Sequence, residues 1–214
     1  MTRSSVRDIG HRHLYLCTPD RPDLAAFLAK CLSGGVDVVQ LRDNTLADGD
    51  VVARGRVAAE VCADHGAPFI VNNRPDLAVE AGAEGVHVGQ DDVPPASARG
   101  VVGPGAIVGL STHAPAELAA SRGEDVDYIS AGPVVPTPTK PGRPGTGLGY
   151  VASAVAGAGR PVFVTGGVDP DSVPALVEAG ARHFVVVRYL VEADDPHRAA
   201  SMLRAAIDRH LGER

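Results

Sequence analysis

Residues 68–92 read PFIVNNRPDLAVEAGAEGVHVGQDD. PFIV (68–71) and GVHV (85–88) are short apolar runs, and PDLAVEAG (75–82) between them has helical spacing and a glycine stop. Apolar strands of this length suit a parallel sheet buried on both faces. The same rhythm runs through the whole chain. LYLC (14–17), DVVQL (37–41), AIVGL (106–110), DYIS (127–130), PVFV (161–164) and HFVVV (183–187) bring the strand candidates to eight.

Helix candidates fill the gaps. DLAAFLAKCL follows the first strand, and DGDVVARGRVAAEVCADHG, with an acidic start, follows the second. PASARG, APAELAAS, YVASAVAGAG, DPDSVPALVEAG and DPHRAASMLRAAIDRHL complete the series. Asp-Pro opens the last two, an N-cap aspartate with proline in the first turn. VEAG closes two helices, at 79–82 and 177–180, on glycine. Eight βα units with right-handed crossovers close most simply into a (β/α)8 TIM barrel. The competing architecture, a doubly wound open sheet, lacks its GxGxxG fingerprint after the first strand. The chain is read as one domain over 1–214, with 1–12 a polar N-terminal extension. In such a barrel, chemistry sits at the C-terminal ends of the strands.

Composition narrows the partners. The 214 residues carry a net charge of −6 and no long basic run, which argues against general nucleic-acid binding. No apolar run approaches the ~20 residues that span a bilayer. The N-terminus has charges but no apolar core, so it does not read as a secretory signal. Cys17, Cys31 and Cys62 lack metal-ligand spacing and are expected to be buried free thiols in a cytoplasmic protein. Self-association is left open.

The rare polar residues are not scattered. All five side-chain amides fall at strand ends: Gln40 and Asn44 at the second, Asn72 and Asn73 at the third, Gln90 at the fourth. Asparagine also favours turns, but turns alone do not account for its absence from the opposite loops. Arg42 lies two residues past Gln40, on the same side of an extended strand, and offers a planar fork for phosphate. Asp91 and Asp92 follow the fourth strand. They suit either a helix start or a hard cation such as Mg2+ bridging to phosphate. Ser111, Thr112 and His113 follow the fifth; His87, within the fourth, reads as a core histidine. Gly166 and Gly167 end the seventh before a helix start, and Arg188 sits at the mouth of the eighth, the pair of strands where barrels often bind phosphate.

The loop after the sixth strand, GPVVPTPTKPGRPGTGLG (132–149), holds one of only two lysines. Its threonines stand between prolines and are held extended. Lys140 adds a compact charge suited to phosphate.

VVQLRDN, FIVNNRPDLA, GVHVGQDD, GLSTH, YISAGPVVPTPTK and VFVTGGV resemble, in order and spacing, the strand-end motifs of thiamine phosphate synthase, from about Leu14 to His210. GPxxPTPTK is specific, and the others are strong as a set. The resemblance implies a (β/α)8 barrel in thiamine biosynthesis. It would join 4-amino-2-methyl-5-hydroxymethylpyrimidine diphosphate to hydroxyethylthiazole phosphate, giving thiamine monophosphate and pyrophosphate with Mg2+ as cofactor. By position it implies that Gln40, Leu41, Arg42, Asp43, Asn44 and Asn72 contact the pyrimidine diphosphate, with Ser111 at the pyrimidine and Lys140 at the pyrophosphate. Asn73 and Asp92 would hold Mg2+. Thr137, Pro138, Thr139, Gly167, Val187 and Arg188 would take the thiazole phosphate. Arg42, Ser111 and Lys140 would carry the chemistry, by stabilising a leaving group and not by acid–base work. Three positions depart from the family pattern: Asn44 for lysine, Asn73 for aspartate and Arg188 for serine. A thiazole tautomerase, or a silent barrel that binds thiamine precursors, stands as the alternative.

Replacing Lys140 with alanine is expected mainly to lower turnover in a thiamine phosphate assay. Normal turnover would remove it from the leaving group.

Overall fold

The structure, a computed structural model, describes residues 9–137, 142 and 144–212. Strands and helices alternate as the sequence pattern requires. The order begins β1 Leu14–Thr18, α1 Leu24–Ser33, β2 Val38–Leu41, α2 Asp48–Asp64, β3 Phe69–Asn72, α3 Pro75–Ala81, β4 Gly85–Val88, α4 Pro95–Val102 and β5 Ile107–Thr112. It continues with α5 Pro115–Ser121, β6 Tyr128–Ala131, α6 Gly147–Gly157, β7 Val162–Thr165, α7 Val173–Glu178, β8 His183–Val186, α8 Arg188–Val191 and α9 Pro196–Leu211. Each strand pairs in parallel with the next, and β8 returns to β1 through Leu14↔Phe184 and Leu16↔Val186. The sheet is a closed barrel, and the open-sheet alternative is excluded.

Closure divides every strand into two faces, because successive side chains point to opposite sides. Leu14, Leu16, Val39, Leu41, Phe69, Val71, Val86, Val88, Val108, Ile129, Val164 and Phe184 pack outward in one large apolar cluster that also takes up the helices' buried residues. Tyr15, Val38, Ile70, Ile107, Tyr128 and Phe163 form a second cluster inside the barrel. Three of these rings pack edge to face: Phe163 lies 5.4 Å from Tyr15 and 5.1 Å from Tyr128, centroid to centroid. Such pairs add about 0.5–1.5 kcal/mol each beyond the area they bury. Gly109 makes the space, since a Cβ there would stand 2.1 Å from Tyr128 Cζ.

The inner face is thus apolar only in the lower part of the barrel. Near their C-terminal ends the inner positions are Cys17, Gln40, His87, Ser111 and Ser130, each buried. At the opposite end, ion pairs lock elements together. The partly buried Asp37 carboxylate accepts the His13 and Leu14 N–H groups at 2.9 Å and the Arg204 guanidinium at 2.9 Å. Arg99 reaches Asp127 at 2.6 Å, and Asp127 accepts the Val108 N–H.

The ends of the chain refine the sequence reading. Residues 1–8 lie outside the described residues, but Ile9, read as part of a polar extension, belongs to the inner cluster at 1% exposure. Asp195 caps α9 as expected, accepting the Arg198 N–H. Asp169 does not cap α7: it and Ser172 bond each other's backbone N–H, and the helix starts only at Val173.

The three cysteines form no disulfide, and all are buried. Burial pushes Cys31 and Cys62 each up to about 12. The thiolate is the reactive form, so a chromogenic disulfide reagent at pH 8 should titrate neither in the native protein and both after denaturation. Labelling of either at a free-thiol rate in the native state would contradict this packing.

Candidate active site

The C-terminal strand ends surround a cavity of about 380 Å³, within the range of small-molecule sites. Its floor is the upper inner face of the barrel: Tyr15 and Cys17 from β1, Gln40 from β2, His87 from β4, Ser111 from β5, and Tyr128 and Ser130 from β6. Its rim carries Arg42, Asn44, Asn72, Asn73, Gln90, Asp91, Asp92 and His113. A second cavity of about 240 Å³ adjoins it, lined by Thr137, Gly166, Gly167, Arg188 and neighbours. Thr165, Val185 and Val187 line both, so ligands in the two would meet across these three side chains.

Local bonds hold the rim. The Asn73 N–H donates to the His87 carbonyl at 2.8 Å, with Asn73 in a left-handed conformation (φ 63°) that asparagine tolerates better than most residues. Arg74, next in the chain, forks onto Asp48 at 2.6 and 2.9 Å and onto Asp76 at 2.9 Å. That fork ties the start of α2 to the start of α3, and it holds both carboxyls below the usual aspartate range. Asp92 Oδ2 accepts the Gly89 N–H at 2.7 Å, curling the turn after β4. Gln90 Nε2 donates to the Ser111 carbonyl at 2.6 Å. His113 is both a helix-start and a cavity residue. Its N–H donates to the Glu117 carboxylate, and its ring Nδ1 bonds the Gly132 carbonyl at the root of the loop after β6.

Burial also sets the chemistry of the floor. Desolvation raises the Tyr15 and Tyr128 phenols well above their ordinary range, so both keep their hydrogens. The rim sets one arginine, Arg42, against two aspartates, Asp91 and Asp92. Its oxygen donors are hard: two carboxylates and the amide of Asn73. Among the described residues no group of three or more His, Cys, Asp or Glu could hold a metal. One or two carboxylates completed by substrate phosphate oxygens and water is, however, the usual Mg2+ arrangement, and these residues fit it.

The sequence of residues 14–190 matches the thiamine monophosphate synthase family. The chain belongs to that family. It is 46% identical over 215 residues to the thiamine-phosphate synthase of Mycolicibacterium smegmatis, covering 94% of this chain and 95% of the relative. It is 49% identical over 197 residues to that of Thermobifida fusca, covering 89% and 90%. A thiamine phosphate pyrophosphorylase from Pyrococcus furiosus superposes with a TM-score of 0.86 at 26% identity, over 95% of this chain and 98% of that one.

Of the positions that the thiamine monophosphate synthase resemblance singles out, the larger cavity brings together Gln40, Arg42, Asn44, Asn72, Asn73, Asp92 and Ser111. The smaller one brings together Thr137, Gly167, Val187 and Arg188. Leu41 and Asp43 stand apart from both: they line a side groove with Leu46 and Asp48, Leu41 facing the helices and Asp43 accepting Thr45. The period of two that turns Gln40 and Arg42 inward turns these two away. Pro138, Thr139 and Lys140 lie outside the described residues. Gly166 and Gly167 both have positive φ, at 92° and 82°, but they do not abut a helix N-terminus, because a turn intervenes before α7. The helix that starts at the smaller cavity is α8, behind Val187.

Sequence reasoning missed Tyr15, Cys17, Tyr128, Ser130 and Thr165, and placed His87 in the core only. Counting back by two along each strand from its mouth would have found them.

Proposed function

We propose that this enzyme condenses the pyrimidine diphosphate with the thiazole phosphate to give thiamine monophosphate and pyrophosphate. The observation that carries the proposal is the pair of adjoining cavities, each with its own cation: Arg42 in the larger, Arg188 in the smaller. Two phosphorylated ligands can then lie side by side with their reacting ends near Thr165, Val185 and Val187. The names of the relatives support synthesis over tautomerisation.

In this reading the larger cavity takes the pyrimidine diphosphate. Gln40, Asn72 and Ser111 orient the ring, and the Arg42 fork holds the diphosphate. Two aspartates beside one arginine would repel that diphosphate unless a divalent cation lay between them. Asp92 and Asn73 are the residues that would hold Mg2+, which neutralises charge on the leaving diphosphate when bound. The smaller cavity takes the thiazole phosphate on Thr137, Gly167, Val187 and Arg188, with Pro138 and Thr139, next in the sequence, expected to contribute. The bond from the pyrimidine methylene carbon to the diphosphate oxygen breaks, and its electron pair leaves with the diphosphate, which Arg42 and Lys140 stabilise. The thiazole nitrogen then supplies the pair for the new carbon–nitrogen bond. Neither step needs a general base, and none of the groups named here is asked to act as one. Three cysteines with no disulfide among them suit a reducing, cytosolic setting.

Arg188 and Asn73 shift charge within the site. Arginine in the smaller cavity adds a cation on the phosphate side, and asparagine in the larger one withholds an anion from Mg2+.

Incubating the protein with both phosphorylated halves and Mg2+ should yield thiamine phosphate and pyrophosphate, and no product over a broad Mg2+ range would sink the proposal. Asn73→Asp restores one carboxylate and should lower the half-saturating Mg2+ concentration about tenfold. An unchanged Mg2+ requirement would remove position 73 from the metal's ligands.

A further inference from the structure

The floor of the larger cavity is one continuous run of buried hydrogen bonds, and its donors allow a single direction. Gln40 Nε2 lies 2.7 Å from the Tyr15 hydroxyl. An amide nitrogen only donates, so the Tyr15 oxygen accepts. The other end of that amide, Oε1, takes the Cys17 thiol at 3.3 Å. The Tyr15 and Tyr128 hydroxyls are 2.9 Å apart. If Tyr128 donated to Tyr15, the Tyr15 hydrogen would be left without a protein acceptor on a residue 1% exposed, the arrangement that native interiors avoid. Tyr15 therefore donates to Tyr128.

Tyr128 passes the direction on. Its hydroxyl is 2.9 Å from His87 Nδ1, and the hydrogen it still holds goes to that nitrogen. A neutral imidazole that accepts at Nδ1 carries its own hydrogen at Nε2. His87 Nε2 lies 2.9 Å from Ser111 Oγ and donates to it. Ser130 donates to the same oxygen at 3.3 Å. Ser111 Oγ thus accepts twice, and its one hydrogen is left to point into the cavity that it lines.

We propose that Tyr128, acting through His87, is a positioning residue that fixes Ser111 as a hydrogen-bond donor. The cavity floor thereby selects a ligand that presents an acceptor, such as a ring nitrogen of an aminopyrimidine, to Ser111. Only the identity of that ligand rests on the proposed function; the direction of the relay does not.

Long-range proton–nitrogen spectra of labelled protein report the His87 tautomer without any substrate. The wild type should show Nε2–H; a wild-type ring carrying Nδ1–H overturns the proposal before any variant is made. Tyr128→Phe removes the donor to Nδ1 and should give a mixture of tautomers. Tyr15→Phe deletes a hydroxyl from the same buried layer but leaves Tyr128 donating to His87, so its tautomer should match the wild type. A shift of equal size in both variants would mean general loosening of the core, and no shift in Tyr128→Phe would mean no relay. Both results overturn the proposal.

Ligand choice gives the second readout. The wild type should bind the aminopyrimidine alcohol on the order of tenfold more tightly than the analogue with CH in place of both ring nitrogens, and Tyr128→Phe should narrow that preference to about twofold. An unchanged preference would overturn the specificity role. Failure to make thiamine phosphate beside an Nε2–H His87 would refute the reaction and leave the relay standing.

Discussion

Pairing of β1 with β8 closes a parallel sheet that would otherwise expose two edges of unpaired backbone groups. Closure turns a repeating strand–helix chain into a container with an inside. The outer face of each strand must then meet helices, and it is apolar except for the buried Thr18 and Thr112 at the ends of β1 and β5. The inner face has no helices to meet and must be filled by its own side chains. Tyr15, Tyr128 and Phe163 fill the middle, and Gly109 yields the room they need.

That filling also builds the floor of the site. Tyrosine brings ring volume and a polar atom together, so each phenol placed inside the barrel must find a partner there. The partners are Gln40 and His87, which in turn hold Cys17 and Ser111. Core packing and the floor of the cavity therefore share the same side chains. The rim is built differently, from turns whose polar groups are tied locally: Asp92 to Gly89, Arg74 to Asp48 and Asp76, and His113 to Glu117 and Gly132. Charge is concentrated there, where water and a cation can reach it.

Much of this was legible beforehand. The rhythm of β-branched strands and glycine-stopped helices identified all eight strands and implied closure. The clustering of five amides at strand ends located the mouth of the barrel, and Arg42 followed from its spacing to Gln40. The floor was less legible because tyrosine, cysteine and histidine within short apolar strands look like ordinary core. Nothing in their local sequence says that the core ends in a cavity. Leu41 and Asp43 show the period of two at work: adjacency along the strand turns their side chains away from the cavity that Gln40 and Arg42 line.

The sequence by itself determined the order of the elements, the end of the barrel that carries chemistry, and the residue types available there. These are local properties, set by side-chain periodicity, by turn-forming residues and by the rarity of amides and lysine. Only the tertiary structure decided which side chains face one another across the lumen. Tyr15 and Tyr128 are 113 positions apart in the chain, yet their hydroxyls share a hydrogen bond. Tertiary structure also ended β8 at Val186, so that Val187 caps a short helix carrying Arg188 instead of extending the strand. Both outcomes follow from closure, because ring geometry places the strands and hydrogen-bond satisfaction then decides which groups can meet.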